Sequence, residues 1–211
     1  MSDSKSSSAA MDEEAHITLG LLNAIHENSA MTQRSMAKDL GIALGLANAY
    51  LKRCVRKGLV KVQQVPANRY AYYLTPQGFA EKSQLTARYL SMSFDFFRHA
   101  RTQCGEVYTQ CAQQGWRRIA LAGVGDLGEI ATLCARDAEV DLVGFLDAAA
   151  DTSHFAGLPV AVHPDELGAV DAIVVTDLGA PQETFERMTR LFAAERVLAP
   201  RLLHVSRQAP R

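Results

Sequence analysis

The chain has 211 residues, with 22 basic and 23 acidic side chains and a formal net charge of -1. Its 48% apolar and 21% charged residues are typical of a globular protein and exclude a disordered, collagen-like or wholly coiled-coil chain. No apolar run approaches the roughly 18 residues of a membrane span, and the Ser-rich start lacks the apolar core of a signal peptide. We therefore expect a cytoplasmic protein without a membrane partner. The four cysteines form no CxxC pair, which indicates neither a disulfide framework nor a zinc site.

Charge is distributed unevenly along the chain. Residues 15–80 carry eight Lys/Arg and two Asp/Glu, whereas residues 117–211 carry nine Arg and fourteen Asp/Glu. This asymmetry indicates two domains with different partners, and the basic half is a candidate for binding a polyanion. We predict an α/β two-domain protein divided into a disordered tail (1–14), a basic domain (15–80), a linker helix (81–116) and an acidic domain (117–211).

The segments before residue 75 have the order of a known DNA-binding fold. Residues 1–14 are Ser-rich, acidic and without hydrophobic periodicity, which predicts the disordered tail. Three helical patterns follow, over 16–26, 32–40 and 44–57, and then two strand patterns over 59–65 and 70–74. This is the order of a winged helix-turn-helix, in which one short helix braces a second so that its exposed face can enter the major groove.

The exposed face of the third helix carries polar and basic side chains. Asn48 is suited to reading adenine. Lys52, Arg53 and Arg56 suit phosphates or guanine. Arg69, at the tip of the wing, is expected to contact a phosphate or the minor groove. We predict these five residues as DNA contacts; the alternative is a basic, solvated helix in a winged helix that binds protein.

Four motifs carry a family resemblance. They are DLGI (39–42), KGLVK (57–61), YYLTPQG (72–78) and AEKSQLTAR (80–88). Over roughly residues 15–95 the chain resembles the MarR-like winged-helix regulators associated with exopolysaccharide biosynthesis in bacteria. The resemblance implies DNA binding and regulation of transcription, with polysaccharide biosynthesis genes as the targets.

A long helical pattern runs from Pro76 toward Gln114, and Gly105 is a position at which the helix could break. Its apolar residues alternate by four and three, which is the spacing of a packed seam. An unbroken helix of this length spans roughly 55 Å, too long for one domain of this size to cover. We expect a second copy of the chain to cover it, so that the linker helix forms a homodimer with two DNA-binding heads. Packing of the stripe on its own domain is the alternative, and the two arrangements can coexist.

Beyond residue 115 short strands alternate with helices. A strand over 117–122 leads into GVGDLG (123–128) and a helix, and a second strand over 140–146 ends in Asp147, nineteen residues after Gly128. This spacing matches the dinucleotide-binding fingerprint. Gly123 would permit the tight turn and Gly125 the approach of a pyrophosphate to the backbone. Gly128 would allow close packing of helix on strand.

Asp147 is expected to accept hydrogen bonds from ribose hydroxyls and to repel a 2'-phosphate, which favours NAD over NADP. Asp126 places a carboxylate beside the proposed phosphate position, where it would compete with an anion. The predicted nucleotide site comprises Gly123, Gly125, Asp126, Leu127, Gly128 and Asp147. The alternative is a glycine loop retained only as fold geometry.

Further strands over 157–160, 171–176 and 196–199 would complete a small Rossmann-like parallel sheet. The stretches GVGDLG, VGFLD, GLPV and RVLAPRLLHV resemble the sensor domain of Rex-type redox repressors, which implies NAD(H) as the ligand. The glycine loop followed by Glu129 also resembles the first domain of membrane-associated nucleoside-diphosphate-sugar dehydratases, which implies a nucleotide sugar.

No catalytic motif accompanies these features. A G-x-S-x-G elbow, an HExxH motif and a Tyr-x-x-x-Lys pair are all absent from the sequence, and no metal site is predicted. The leading hypothesis is a homodimeric regulator, not an enzyme, whose head binds double-stranded DNA and whose acidic domain senses NAD(H) or a nucleotide sugar. One alternative is an NAD- or nucleotide-sugar-linked enzyme or accessory protein whose winged helix contacts protein. Another is a constitutive repressor whose second domain only dimerises.

Overall fold

The structure is a computed structural model that describes residues 3–66 and 69–207, with side chains described over 13–66 and 70–207. The chain divides into an N-terminal unit, residues 1–93, and a C-terminal unit, residues 94–211. The division falls within the segment expected to be a linker. The two-domain α/β fold class predicted from the sequence is confirmed.

Helices dominate the N-terminal unit and strands the C-terminal unit. The helices are α1 (Asp3–Glu27), α2 (Gln33–Asp39), α3 (Leu44–Arg56), α4 (Pro76–Gln113), α5 (Asp126–Ala135) and α6 (Pro181–Leu191). The strands are β1 (Val60–Val65), β2 (Arg69–Leu74), β3 (Arg118–Ala122), β4 (Asp141–Leu146), β5 (His154–Phe155), β6 (Leu158–Ala161), β7 (Ala172–Val175) and β8 (Val197–Leu198). Short 3-10 helices cover Pro164–Leu167, Ala194–Arg196 and Arg201–Leu203.

The N-terminal unit contains a winged helix-turn-helix, as the sequence predicted. α2 begins with a capping box, because the Thr32 hydroxyl accepts from the Ser35 N–H at 3.1 Å while the Ser35 hydroxyl accepts from the Thr32 N–H at 3.1 Å. Strands β1 and β2 pair antiparallel, from Val60 opposite Leu74 to Val65 opposite Arg69. The predicted turn residues 67 and 68 lie outside the described residues.

One apolar core holds the winged helix together. It is built from one face of α1, one residue of α2, and the inner faces of α3 and the wing: Ile17, Leu21, Leu22, Ile25, Met36, Leu51, Cys54, Leu59, Val60 and Tyr72. The wing is fixed to the helices by main-chain bonding as well, since the Tyr72 N–H donates to the Ser29 carbonyl at 2.8 Å. These contacts leave the opposite face of α3 exposed.

The first helix corrects one expectation. Residues 1–14 were expected to be disordered, but α1 begins at Asp3. The segment 9–15 (AAMDEEA) is rich in good helix formers. Once Ile17, Leu21 and Leu22 anchor the helix in the core, each further turn costs no new nucleation.

The linker helix does not break at Gly105. α4 runs without interruption from Pro76 to Gln113. A Cβ at Gly105 would meet no atom within 4 Å, so the position has no steric need for glycine. A glycine inside a helix costs only about 1 kcal/mol relative to alanine, which the flanking helical turns can tolerate.

The C-terminal unit has a six-stranded sheet in the order β5-β6-β4-β3-β7-β8. Strands β6, β4, β3, β7 and β8 run parallel, which places the first strand of the unit at the centre and reverses the order on its two sides. This is the order of doubly wound nucleotide-binding sheets, and the reversal lies between β3 and its two neighbours. The carboxyl ends of β3, β4 and β7 therefore meet at one edge.

The sheet is parallel, as the sequence predicted, except at one edge, where β5 pairs antiparallel with β6. The two strands are joined by Ala156 and Gly157, whose φ angles of 47° and 81° are both positive. Positive φ at both central residues is typical of a type I' turn, which suits a tight hairpin. The chain thus adds an edge strand where a doubly wound sheet would ordinarily have a helical crossover.

The core of the C-terminal unit is built on the neighbouring strands β3 and β7. Ile119 to Ala122 of β3 and Ala172 to Val175 of β7 are fully buried. Within this unit, Cys104, Tyr108 and Cys111 of α4 pack into the same cluster, and the Tyr108 hydroxyl donates to the Ala131 carbonyl of α5 at 3.0 Å. Among the described helices, none is both long and apolar enough to cross a membrane.

Candidate nucleic-acid interface and nucleotide loop

The exposed face of α3 carries two of the predicted DNA contacts in accessible positions. Ala47, Leu51 and Cys54 are buried and define the inner face of the helix. Lys52 and Arg56 lie on the opposite side and are exposed. Because they are four residues apart, their side chains project from one face and can contact the same stretch of a polyanion.

Arg53 is already paired within the N-terminal unit. Its guanidinium lies 2.6 Å from the Glu14 carboxylate and 5.9 Å from the centre of the Tyr50 ring. The side chains of Arg53 and Glu14 are 41% and 37% exposed, so water screens this ion pair and the pair can open. Glu14 therefore competes with a phosphate for Arg53.

Asn48 differs from its predicted placement on the exposed face. The side chain is half-buried, and its Oδ1 is buried without a hydrogen-bond partner among the described residues. A buried carbonyl oxygen without a partner costs free energy, so the amide gains by turning toward a donor. Reading adenine requires both the Oδ1 and Nδ2 of Asn48 to face the groove, and hence requires this rotation.

Arg69 remains a sequence-based prediction. It is the first residue of β2, but its side chain lies outside the described residues.

Sequence reasoning missed a groove beside α3. It lies between the start of α2, the start of α3 and the wing, has a volume of about 720 Å³, and is lined by Thr32, Gln33, Arg34, Leu44, Tyr70 and Tyr72. Arg34 is exposed there, and the Gln33 side chain donates to the Tyr72 hydroxyl at 3.1 Å. The signal available in the sequence was the capping box at Thr32, which places Arg34 in the first turn of α2.

Freeing Arg53 is expected to strengthen DNA binding. In a Glu14→Gln variant we expect the affinity for DNA to rise about two- to fivefold, because an exposed ion pair is worth up to about 1 kcal/mol. The matched control is Asp95→Asn, which removes an exposed carboxylate paired with Arg98 and changes the net charge equally. Fluorescence anisotropy with a labelled duplex measures both. Equal affinities for the two variants would contradict a competing role for Glu14.

In the C-terminal unit, the glycine loop is shaped by conformation and by close packing. Gly125 has φ 152° and ψ -171°, a region essentially restricted to glycine, and a Cβ there would meet no atom within 4 Å. A Cβ at Gly128 would lie 2.7 Å from Cε1 of Phe145, so α5 packs closely on β4 at this position. The backbone at Gly125 is thus open to an approaching group.

The loop is held rigidly at the edge where three strands end. Gly123 donates its N–H to the Leu146 carbonyl at 3.2 Å, and the Thr176 hydroxyl donates to the Gly123 carbonyl at 2.6 Å. The Asp147 carboxylate accepts from the Val124 N–H at 2.9 Å and from the Ala149 N–H at 2.9 Å. Each Asp147 oxygen keeps a further lone pair, so the carboxylate can still accept a hydroxyl of a ligand.

The surroundings of the loop are acidic. Asp126 and Glu129 are exposed in the first turn of α5, with Leu127 buried between them. Burial of Asp177 opposes its ionisation, but hydrogen bonds from Thr184 and from the N–H groups of Ala180 and Gly179 outweigh burial and hold the pKa of this carboxyl below its usual value. The exposed carboxylates of Asp126 and Glu129 would therefore compete with a phosphate group at the start of α5.

The cysteines take structural positions. Cys54, Cys104, Cys111 and Cys134 are buried free thiols, and burial raises the pKa of Cys111 to about 12. A thiol with so high a pKa is a poor nucleophile near neutral pH. Within the described part of the chain, no cluster of three or more His, Cys, Asp or Glu side chains is arranged to hold a metal ion.

Comparison with known proteins bears on the N-terminal unit. Residues 15–61 match the family model described as winged helix-turn-helix DNA-binding. No curated protein matches the chain significantly.

Solved structures with similarity to the chain include transcriptional regulators. The PcaV transcriptional regulator from Streptomyces coelicolor, in complex with its natural ligand, is 23% identical over 38% of this chain and 59% of its own, with a TM-score of 0.36. The MepR–DNA complex of S. aureus is 26% identical over 40% of this chain and 60% of its own, with a TM-score of 0.34. PigF with SAH is 12% identical over 91% of this chain and 57% of its own, with a TM-score of 0.25.

The chain thus spans less than two thirds of each of these three relatives, and similarity at these TM-scores does not extend to their functions. The winged helix assigned from the described elements and the family match to residues 15–61 agree. The N-terminal unit therefore contains a winged helix-turn-helix of the DNA-binding kind.

Proposed function

We propose that the protein is a homodimeric transcription regulator whose winged helix binds operator DNA and whose C-terminal unit senses a nucleotide-type ligand. The observation that carries the proposal is the exposed pair Lys52 and Arg56 on α3, in a domain whose fold and family match are those of DNA-binding proteins. An excess of basic residues over 15–80 supports it, because phosphate contacts dominate the affinity for DNA.

Dimerisation is assigned to the linker helix α4. Large apolar side chains are exposed along its middle, and Leu90, Phe94 and Phe97, spaced by four and three residues, form a stripe on one face of the helix. A cluster of this kind on one helix is typical of a protein–protein contact. A second copy of the chain would present the same stripe in a twofold arrangement and bury both.

The glycine loop is proposed as the ligand site, with the N–H groups of Asp126 and Leu127 facing the phosphates. The support is the open, glycine-only backbone at Gly125 and the position of Asp147 beside it. NAD(H) or a nucleotide sugar fits this arrangement, since both carry ribose hydroxyls for Asp147. Control of polysaccharide biosynthesis genes is proposed only from the resemblance of residues 15–95 to regulators associated with exopolysaccharide biosynthesis.

The regulator proposal is tested by a gel shift on the promoter of the protein's own operon, with and without NAD, NADH and UDP-sugars. We expect a salt-sensitive complex whose affinity changes with one of these ligands. The largest change in DNA affinity that a ligand can cause is set by the ratio of its own affinities for the DNA-binding and the non-binding conformation. Absence of DNA binding in every condition contradicts the proposal.

The ligand site is tested with a Gly125→Val variant. We expect a nucleotide that raises the thermal midpoint of the wild type to give no shift in the variant, because a side chain at Gly125 fills the space next to the loop backbone and strains its φ of 152°. The matched control is Gly157→Val, also strained and in open space but in the β5–β6 hairpin. A nucleotide shift retained in Gly125→Val places the ligand elsewhere.

A further inference from the structure

A second groove lies in the C-terminal unit, apart from the glycine loop. It has a volume of about 440 Å³ and runs between one face of α4 and the segment that follows β8. Val107 and Phe185, both buried, and Val205, half-buried, form an apolar floor. Polar side chains make up the larger part of the lining, so the groove combines a small apolar floor with a polar rim, and small-molecule sites use both kinds of surface.

The outer wall of the groove is fastened in place. The Leu202 N–H donates to the Gln103 side chain of α4 at 2.7 Å, and the Ser206 N–H donates to the Gln182 side chain of α6 at 2.8 Å. Between these two anchors His204 adopts φ 50°, a left-handed conformation uncommon for a residue other than glycine. The groove is therefore formed before any ligand arrives.

The rim of the groove is basic in an otherwise acidic region. Arg201, His204 and Arg207 line it, although residues 117–211 carry nine Arg against fourteen Asp/Glu. The one carboxylate lining it is Glu106, which pairs with Arg201 at 2.7 Å. The Arg201 and Glu106 side chains are 76% and 52% exposed, so their ion pair is weak and exchangeable.

We propose that this groove binds a small organic anion whose carboxylate or phosphate head replaces Glu106 as the partner of Arg201. A guanidinium group binds a carboxylate or a phosphate through two parallel N–H donors. Arg207 supplies a second guanidinium group at the same rim. The apolar body of the ligand packs on Val107 and Phe185. The ligand is thus amphipathic, which separates it from a free inorganic ion.

This site goes beyond the proposed nucleotide loop. Its inner wall is the Gln103–Gln110 face of α4, the same helix that begins at the end of the winged helix. An anion held between Arg201 and this face ties the C-terminal segment to α4. It is therefore placed to affect the linker helix without contacting the glycine loop.

The test is isothermal titration of the full chain with phenyl phosphate, benzoate, inorganic phosphate and acetate. We expect one of the two aromatic anions to bind at least about tenfold more tightly than its head group alone, because it also buries apolar surface on the floor. A higher affinity for phenyl phosphate than for benzoate identifies the ligand as a phosphate, and a higher affinity for benzoate identifies it as a carboxylate. If neither aromatic anion binds, or if the bare ions bind equally well, the proposal is overturned.

Three variants locate the binding. Arg201→Ala combined with Arg207→Ala is expected to lower the affinity at least tenfold, whereas Glu106→Gln is expected to raise it about two- to fivefold by removing the competing carboxylate. Arg190→Ala, an exposed arginine outside the groove, is the matched control and should bind as the wild type does. An affinity unchanged in both the double and the Glu106 variants overturns the proposal. Gly125→Val should keep anion binding, so failure of the nucleotide site and failure of this one are distinguishable.

Discussion

Replacing Lys52 and Arg56 together by glutamate is expected to lower the affinity for DNA by at least about a hundredfold at about 0.1 M salt. Each lost phosphate contact removes one released counterion and reduces the salt slope by about one unit, and each introduced carboxylate adds repulsion from the duplex. Both side chains are exposed and neither contributes to the core of the winged helix, so the variant should fold normally. Fluorescence anisotropy across a range of salt concentrations measures affinity and slope together.

The control for this variant reverses the same charge elsewhere. Arg136 and Arg190 are exposed in the C-terminal unit, and replacing both by glutamate changes the net charge equally. We expect it to change DNA affinity by less than about threefold, because screening limits the reach of exposed charges to about 10 Å at 0.1 M salt. Equal losses in the two double variants would assign the effect to overall charge and contradict a specific role for α3.

A Gly123→Ala substitution is expected to destabilise the C-terminal unit by about 3–5 kcal/mol, because strain and overpacking add at this position. A Cβ there would lie 2.6 Å from Cβ of Asp177 and 2.7 Å from its backbone N. The φ of 107° is also one that alanine rarely adopts. The clash is with backbone at the edge where three strands end, so no side-chain rotation relieves it.

Urea unfolding followed by Trp116 fluorescence measures this effect, since Trp116 is the protein's one tryptophan and packs against the core of the C-terminal unit. Gly115→Ala is the control. Gly115 also has a positive φ, 75°, but a Cβ there would meet nothing within 4 Å. The Gly115→Ala substitution should lower the free energy of unfolding by only about 1–2 kcal/mol, because it adds backbone strain without a clash. Similar losses of stability in the two variants would contradict the close packing of Gly123 against Asp177.

Hydrophobic periodicity and local turn signals were enough to predict most of the elements of both units. In the winged helix, the buried face of α3 consists of Ala47, Leu51 and Cys54, whose helical spacing is visible in the sequence. In the C-terminal unit, the strand, glycine loop and helix were predictable because the G-x-G-x-x-G spacing lies directly between a strand pattern and a helix pattern in the sequence. Both features depend on residues close together in the chain.

Features that depend on distant residues could not be predicted in the same way. The pairing of Arg53 with Glu14 requires α1 to cross α3 at a particular turn. The Oδ1 of Asn48 is buried by packing around α3, although the helical pattern places the residue on the outer face. The groove at Arg201 is closed by a bond between Leu202 and Gln103, which are 99 residues apart.

The hairpin of β5 and β6 was missed for a local reason. Its turn has Ala156 at a position where Asn, Asp or Gly is the usual signal, although the φ there is positive. Gly157 alone does not distinguish a hairpin turn from a loop. A two-residue strand is also too short to show alternation.

Selection of binding sites from a random duplex library by the full chain tests the central claim most directly. We predict enrichment of one sequence arranged as an inverted repeat, with half-site centres about one helical turn, or roughly 34 Å, apart, as two heads on a homodimer require. The Lys52→Glu, Arg56→Glu double variant should enrich nothing under the same conditions. Enrichment of no sequence by the wild-type chain, or of the same sequence by the double variant, would contradict the assignment of α3 as a DNA-reading helix.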